Sequence, residues 1–222
     1  MRLEIKVLQD IFAANEGLAS ENAELFKRKG VFVINLMASP GAGKTSFILG
    51  TIGGLRDKYN IAVIEGDVAS KVDAEKIKAH GVQSIQINTG GGCHLEANMI
   101  KQAIEHLDLD DIDLLIIENV GNLVCPADFN LGESARIVIL SVPEGDDKPL
   151  KYPFIFRDCD VLIVNKIDMV DLTDFSMERL EEAVRNHNPD VEMLPLSCRS
   201  GTGFDLWLDW VEKRLKVRDG NG

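Results

Sequence analysis

The sequence predicts an α/β fold: a mostly parallel, doubly wound sheet of about seven strands, with helices on both faces and helices in front of it. Two observations carry this. From residue 30 onward, short β-branched runs alternate with helical stretches. The runs are also continuously apolar rather than alternating, as strands buried on both faces must be. In such sheets ligands settle at the carboxyl ends of the strands, so the chemistry is expected where the runs end.

Residues 3–29 are rich in Leu, Glu, Lys and Ala, with apolar residues at Leu3, Val7, Ile11, Phe12, Leu18, Leu25 and Phe26. This spacing predicts one or two amphipathic helices, with Asn15-Glu16-Gly17 as a break if there are two, ended by Gly30. The runs that follow are 31–38, 61–68, 84–89, 113–120, 136–142, 160–168 and 191–197. The 222 residues suit a single domain, with a helical segment 1–29 and a sheet-bearing part 30–215.

The net charge is −12, which disfavours nucleic acid and anionic membranes as partners. The one dense basic cluster, Lys27-Arg28-Lys29, reads as a helix end with favourable charge–dipole contacts. No run is long and apolar enough to cross a membrane, and the charged stretch MRLEIKVLQD lacks the apolar core of a signal peptide. A cytoplasmic location is expected, with the four cysteines as thiols or metal ligands rather than disulfides.

The first run ends in Ala38-Ser39-Pro40-Gly41-Ala42-Gly43-Lys44-Thr45-Ser46, a Walker A loop in the required strand–loop–helix context and hence the mark of a P-loop NTPase. Gly41, Ala42 and Gly43 turn backbone N–H groups toward an anion, and the helix that starts there aims its positive end at the phosphates. Lys44 reaches the β- and γ-phosphates, and the Thr45 hydroxyl suits Mg²⁺. Ala38 stands where the usual pattern begins with Gly.

About 120 residues later, Asn165-Lys166-Ile167-Asp168 matches the NKxD motif. The Asp168 carboxylate can accept from both N1–H and the 2-amino group of guanine, a donor pair that adenine lacks, so GTP is the expected nucleotide. Lys166 covers the base and Asn165 braces the phosphate loop. Ser197-Cys198 resembles the third base-binding loop, which uses backbone N–H groups on guanine O6. Two further strand ends lie beside the nucleotide. Asp67 is expected to bind Mg²⁺ or orient water. Glu118 holds Mg²⁺ directly or through water, and Gly121 donates its N–H to the γ-phosphate. Lys44, Asp67 and Glu118 are the expected catalytic residues of a GTPase that works by positioning and charge stabilisation. Asn122 stands after Gly121, where Ras-like proteins keep a water-positioning Gln. Arg136 and Arg157 are unconvincing arginine fingers, so hydrolysis is expected to be slow and partner-dependent.

The third run leads into Gly90-Gly91-Gly92-Cys93-His94, and Cys125 follows the fourth. In a parallel sheet both loops leave the same edge, so thiolates and imidazole can converge on Zn²⁺ or Ni²⁺. The glycines are expected to permit close backbone approach. Three ligands leave a zinc site short of four, and a two-fold dimer would double the set. Cys159 reads as core, and His80, His106 and His187 as surface residues.

The stretches NLMASPGAGKT (35–45), EGD (65–67), GGGCHLEA (90–97) and ENVGNLVCPADFNLGE (118–133) together resemble the HypB family along nearly the whole chain. Asn15, Ala19, Asn22, Phe26 and Lys148-Pro149-Leu150-Lys151-Tyr152-Pro153 add to the likeness. The resemblance implies a SIMIBI-class GTPase that delivers nickel during [NiFe] hydrogenase maturation. It implies Zn²⁺ or Ni²⁺ on Cys93, His94 and Cys125 near a GTP-dependent homodimer interface, with a HypA-like nickel chaperone and the hydrogenase large subunit as partners. The sequence shows neither the N-terminal cysteine motif nor the His-rich tract of many members, so a second metal site and nickel storage are not expected. Urease-type UreG proteins fit less well, since their Cys-Pro-His motif is absent. MinD-like ATPases need a second lysine where Ser39 stands. A GTP-binding metal sensor or scaffold without useful turnover is the non-enzymatic alternative.

Overall fold

The computed structural model describes the backbone of residues 7–67, 77 and 79–219. Leu3, Val68 and the side chains of Val7 and Asp67 fall outside the described residues. Helix α1 (Val7–Lys29) leads into strand β1 (Phe32–Ala38), α2 (Lys44–Leu55), β2 (Ile61–Asp67) and β3 (Gln83–Asn88). Then come α3 (Ala97–Ile104), β4 (Leu114–Glu118), β5 (Ala135–Ser141), α4 (Lys148–Lys151), α5 (Pro153–Arg157) and β6 (Val161–Asn165). Helix α6 (Met177–Arg185), β7 (Glu192–Pro195) and α7 (Phe204–Asp219) complete the order.

The sheet runs β3-β2-β4-β1-β5-β6-β7, and every neighbouring pair is parallel. The chain builds outward from β1 to β2 and β3, returns through β4, then crosses to β5 on the far side. That reversal places a crevice at the carboxyl end of β1, where such sheets bind ligands. Strand β1 is buried along its whole length. Edge strand β3 is not: its residues are exposed or half-buried, so its mixed sequence reflects one covered face rather than two.

Three apolar layers clad the sheet. Helices α2 and α7 cover one face through Phe47, Ile48, Ile52, Trp207 and Trp210. On the other face, α1 and α3 cover the β1–β2–β4 half through Phe26, Ile100 and Ile104. Phe156, Leu180 and Val184 of α5 and α6 cover the β5–β6 half.

Helix α1 is one continuous helix through Gly17, where the sequence allowed a break. A glycine inside a helix costs about 1 kcal/mol relative to Ala. Tertiary bonds offset this: Asn15 Nδ2 donates to Asn130 O (2.8 Å), and Asn22 Nδ2 donates to Ala97 O (2.9 Å) and Leu131 O (3.1 Å). Burial of Phe26, 2% exposed, adds roughly 1.5–3 kcal/mol. The basic last turn of α1 holds Lys27, Arg28 and Lys29, and Lys29 pairs with Asp110 at 2.6 Å.

Candidate nucleotide and metal site

The phosphate loop links β1 to α2. Gly41 and Gly43 have φ of +78° and +104°, in the left-handed region. At Gly43 the requirement is double, because a Cβ there would lie 2.5 Å from Asn165 Nδ2. Gly43 is also the N-cap of α2 and offers no side chain to it, so the first N–H groups of the helix, from Lys44, Thr45 and Ser46, face the loop. Lys44 stands beside the segment after β4: a Cβ on Gly121 would lie 3.3 Å from its Nζ and 3.1 Å from the Pro40 ring.

The residues at the end of β6 hold this loop in place. Asn165 Nδ2 donates to Ala42 O (2.9 Å), while its Oδ1 accepts from Lys166 N (2.7 Å) and Cys198 N (3.2 Å). Lys166 Nζ donates to Gly41 O (2.7 Å). Lys166 is the one non-glycine residue with positive φ among the described residues, at +63°. Such strain persists where surrounding bonds over-determine the backbone. Asp168 is exposed, with Oδ1 accepting from Ser197 Oγ (2.6 Å), so the carboxylate is aimed rather than free to rotate. Burial pushes the Cys198 thiol up to about 11, so it stays a neutral wall residue.

Glu118 ends β4, in register with Leu36 of β1 on one side and Glu65 of β2 on the other. The β2 backbone reaches Asp67, opposite Asn88 of β3. The expected Mg²⁺-binding role of Asp67 rests on a side chain outside the described residues. Arg136 sits near the amino end of β5, away from the carboxyl edge, with Nε on Glu133 Oε1 at 2.7 Å. Arg157 pairs with Asp158 on the surface. Asn122, at the water-positioning place, is occupied: its Oδ1 accepts from Val124 N (2.8 Å) and its Nδ2 donates to Cys93 O (3.4 Å).

The loop after β3 and the short helical turn after β4 do converge. The donor atoms of Cys93, His94 and Cys125 all lie within 4.8 Å of one another. Cys93 Sγ is 3.5 Å from His94 Nδ1. Donors on a common tetrahedral ion, at about 2.0–2.3 Å from it, stand roughly 3.5–3.8 Å apart, so the sulfur–nitrogen–sulfur set fits a soft or borderline cation after a small contraction. The Cys125 thiol is raised above its ordinary value, first by its hydrogen bond with Cys93, then by burial and then by the charge of Cys93. Gly90 and Gly91 adopt φ of +61° and +95°, and a Cβ at either would meet nothing within 4 Å. They serve the left-handed turn; the close backbone approach expected from the sequence falls at Gly92, where a Cβ would lie 3.2 Å from Thr89 O.

Two contacts around His94 were not legible in the sequence. Its ring stacks on Phe129 (centroids 3.8 Å apart, planes at 24°), and Phe129 in turn meets Phe12 of α1 at 5.3 Å. Its Nε2 is buried without a hydrogen bond and faces Glu96 Oε1 at 3.6 Å. Shortened slightly, that contact becomes the carboxylate partner that orients metal-bound histidines. Cys159 is buried, with its thiol pushed up to about 12 by burial, and belongs to the core. His106 and His187 are exposed and His80 half-buried.

A phosphate loop braced by a guanine-type NKxD loop on an all-parallel sheet defines a P-loop nucleotide-binding protein of the GTPase kind. A thiol–imidazole cluster on the same sheet edge narrows the class. Residues 32–195 match the family described as CobW/HypB/UreG, nucleotide-binding domain. The hydrogenase maturation factor HypB of Azotobacter vinelandii is 47% identical over 96% of this chain and 71% of its own. The probable HypB of Methanocaldococcus jannaschii is 44% identical over 96% of both chains. The crystal structure of Helicobacter pylori HypB in complex with nickel superposes with a TM-score of 0.87 at 38% identity, over 92% of this chain and 96% of that one. The chain belongs to the HypB branch of the CobW/HypB/UreG family. Among the described residues, no helix is long and apolar enough to cross a membrane.

Proposed function

We propose that this protein is a GTPase that holds nickel on Cys93, His94 and Cys125 and releases it, under control of the bound nucleotide, during hydrogenase maturation. The observation that carries this reading is a soft donor set within 4.8 Å, one member of which, Cys125, ends the stretch 118–125 that passes the phosphate loop at Gly121. GTP and water yield GDP and phosphate. The α2 N–H groups and Lys44 take up charge on the phosphates, Gly121 meets the γ-phosphate, and Asp168 with the Cys198 backbone selects guanine. Thr45, Glu118 and Asp67 would hold Mg²⁺, which when bound neutralises phosphate charge.

Nickel is cargo, so a three-ligand site with an open position suits transfer better than a closed one. Zn²⁺ fits the same donors. Two copies facing each other across bound GTP would bring two such sets together, and a HypA-like chaperone and the hydrogenase large subunit are the partners in the transfer. Nickel titration of the GDP form and of a form with a non-hydrolysable GTP analogue, with mass measured in each, tests the reading. A change of nickel affinity or stoichiometry between the two states is expected. Identical affinity and stoichiometry would sink it.

A further inference from the structure

We infer that Asn119 is the positioning residue that couples the phosphate end of the site to the metal loop. The inference rests on the reading above, that the nucleotide state governs how nickel is held. Asn119 is fully buried, immediately after the acidic residue that ends β4. Its backbone N–H is fixed to Leu36 O of β1 (3.0 Å). Its side chain then reaches two ways. Oδ1 accepts from Val120 N (2.9 Å), in the segment that leads to Gly121 and Lys44. The same oxygen accepts from Leu95 N (3.1 Å), the residue next to His94. One carbonyl oxygen therefore sets the spacing between the γ-phosphate turn and the metal loop.

The amide is held against rotating on its own, so the oxygen moves only with the Asn119 backbone. Nδ2 donates to Asn35 Oδ1 (3.2 Å), and Asn35 Nδ2 donates to Glu133 Oε1 (3.3 Å), an oxygen also held by Arg136. Leu95 is gripped from its other side too. It is fully buried, and a Cβ on Gly66 of β2 would lie 2.6 Å from its side chain. Leu95 thus lies between the ends of β2 and β4, the two strands that approach the nucleotide. A shift of Val120-Gly121 toward or away from a γ-phosphate either drags Leu95, and His94 with it, or leaves the Leu95 N–H buried and unpaired. The second strips a buried donor of its only partner, which is costly, so the two loops move together. Asn122, donating to Cys93 O at 3.4 Å, is a second and weaker link from the same segment.

The test is the ratio of nickel dissociation constants, measured by chelator competition, in protein saturated with GDP and with a non-hydrolysable GTP analogue. Wild type should show a ratio at least about fivefold from one. Asn119→Ala should bring it within about twofold of one while nickel still binds in both states; a merely structural role would weaken both states equally and keep the ratio. Asn119→Asp retains an acceptor for Leu95 N and should keep at least half of the wild-type ratio. A wild-type ratio that survives Asn119→Ala overturns the inference alone, as does an equal loss in Asn119→Asp. A wild-type ratio of one overturns the parent reading as well. Should Asn119→Ala fail to fold, Gly66→Ala decides, since it presses on Leu95 with Asn119 intact: a ratio moved by about threefold or more supports the coupling, and an unmoved one overturns it.

Discussion

The phosphate loop and the metal loop leave the same sheet edge, but different parts of the chain hold them. The phosphate loop is strapped from the guanine side, by Asn165 on Ala42 O and Lys166 on Gly41 O. The metal loop closes its own turn through Thr89 and Asn88, then leans on residues that follow β4: Asn119 on Leu95 N, Asn122 on Cys93 O and Phe129 on the His94 ring. Those residues belong to the stretch that holds Gly121, which stands beside Lys44 of the phosphate loop. The cradle for the nucleotide is pre-organised, which lowers the cost of binding. On the proposed reading, the cradle for the metal takes its shape from the state of the nucleotide.

If the two cradles are built separately, each should be breakable alone. The largest effect is expected at the metal ligands. Cys125→Ala should weaken nickel by more than the ~100-fold that loss of an outer contact can reach, and leave GDP affinity within about threefold; isothermal titration with each ligand checks it. Thiol labelling sharpens the same division. At pH 8 Cys198, pushed up to about 11, holds about 100-fold less thiolate than an ordinary cysteine. Exposed Cys93 should label first, buried Cys159 last, and nickel should protect Cys93 alone of these three. Because the Cys198 pKa is raised, its labelling rate should climb with pH up to about 11, which mass spectrometry of timed samples can follow.

Gly43→Ala attacks the other side. It forces an alanine to φ +104° and drives its Cβ into Asn165. A strain of about 1–3 kcal/mol corresponds to roughly 5–150-fold in GTP and GDP affinity, while nickel binding to the nucleotide-free protein should stay put. Fluorescent-nucleotide titration reads the first and chelator competition the second. The smallest effect is expected at Glu96→Gln. It removes the charge facing His94 Nε2 and should weaken nickel about tenfold without touching nucleotide affinity.

The fold and the geometry of the phosphate and NKxD loops were largely legible because their signals are local. A GAGKT turn or an NKID turn carries its geometry in adjacent residues, and continuous apolar runs announce buried parallel strands. The metal cluster was legible from a rarer juxtaposition, Cys-His after one strand and Cys after another, once the strands were taken as parallel. What lay hidden depends on distant partners. Asn119 looks like any polar residue at a strand end until the fold sets it between Leu95 and Asn35. Phe129 reads as core until His94 is laid against it. Gly17 suggested a break in α1 because nothing nearby reveals that Asn15 and Asn22 will be tied down by residues more than seventy positions away.

The two tryptophans of the chain have a practical consequence. Trp207 donates from Nε1 to Thr51 of the helix that begins at Lys44, and Trp210 stacks against it at 5.3 Å. Trp207 therefore lies against α2 and Trp210 near Phe32 of β1, both on the opposite face of the sheet from Leu95. The molecule carries an intrinsic optical reporter on its nucleotide half only. A change in tryptophan emission on adding nickel, beyond direct absorption and quenching by the ion, would be a signal that has crossed the sheet.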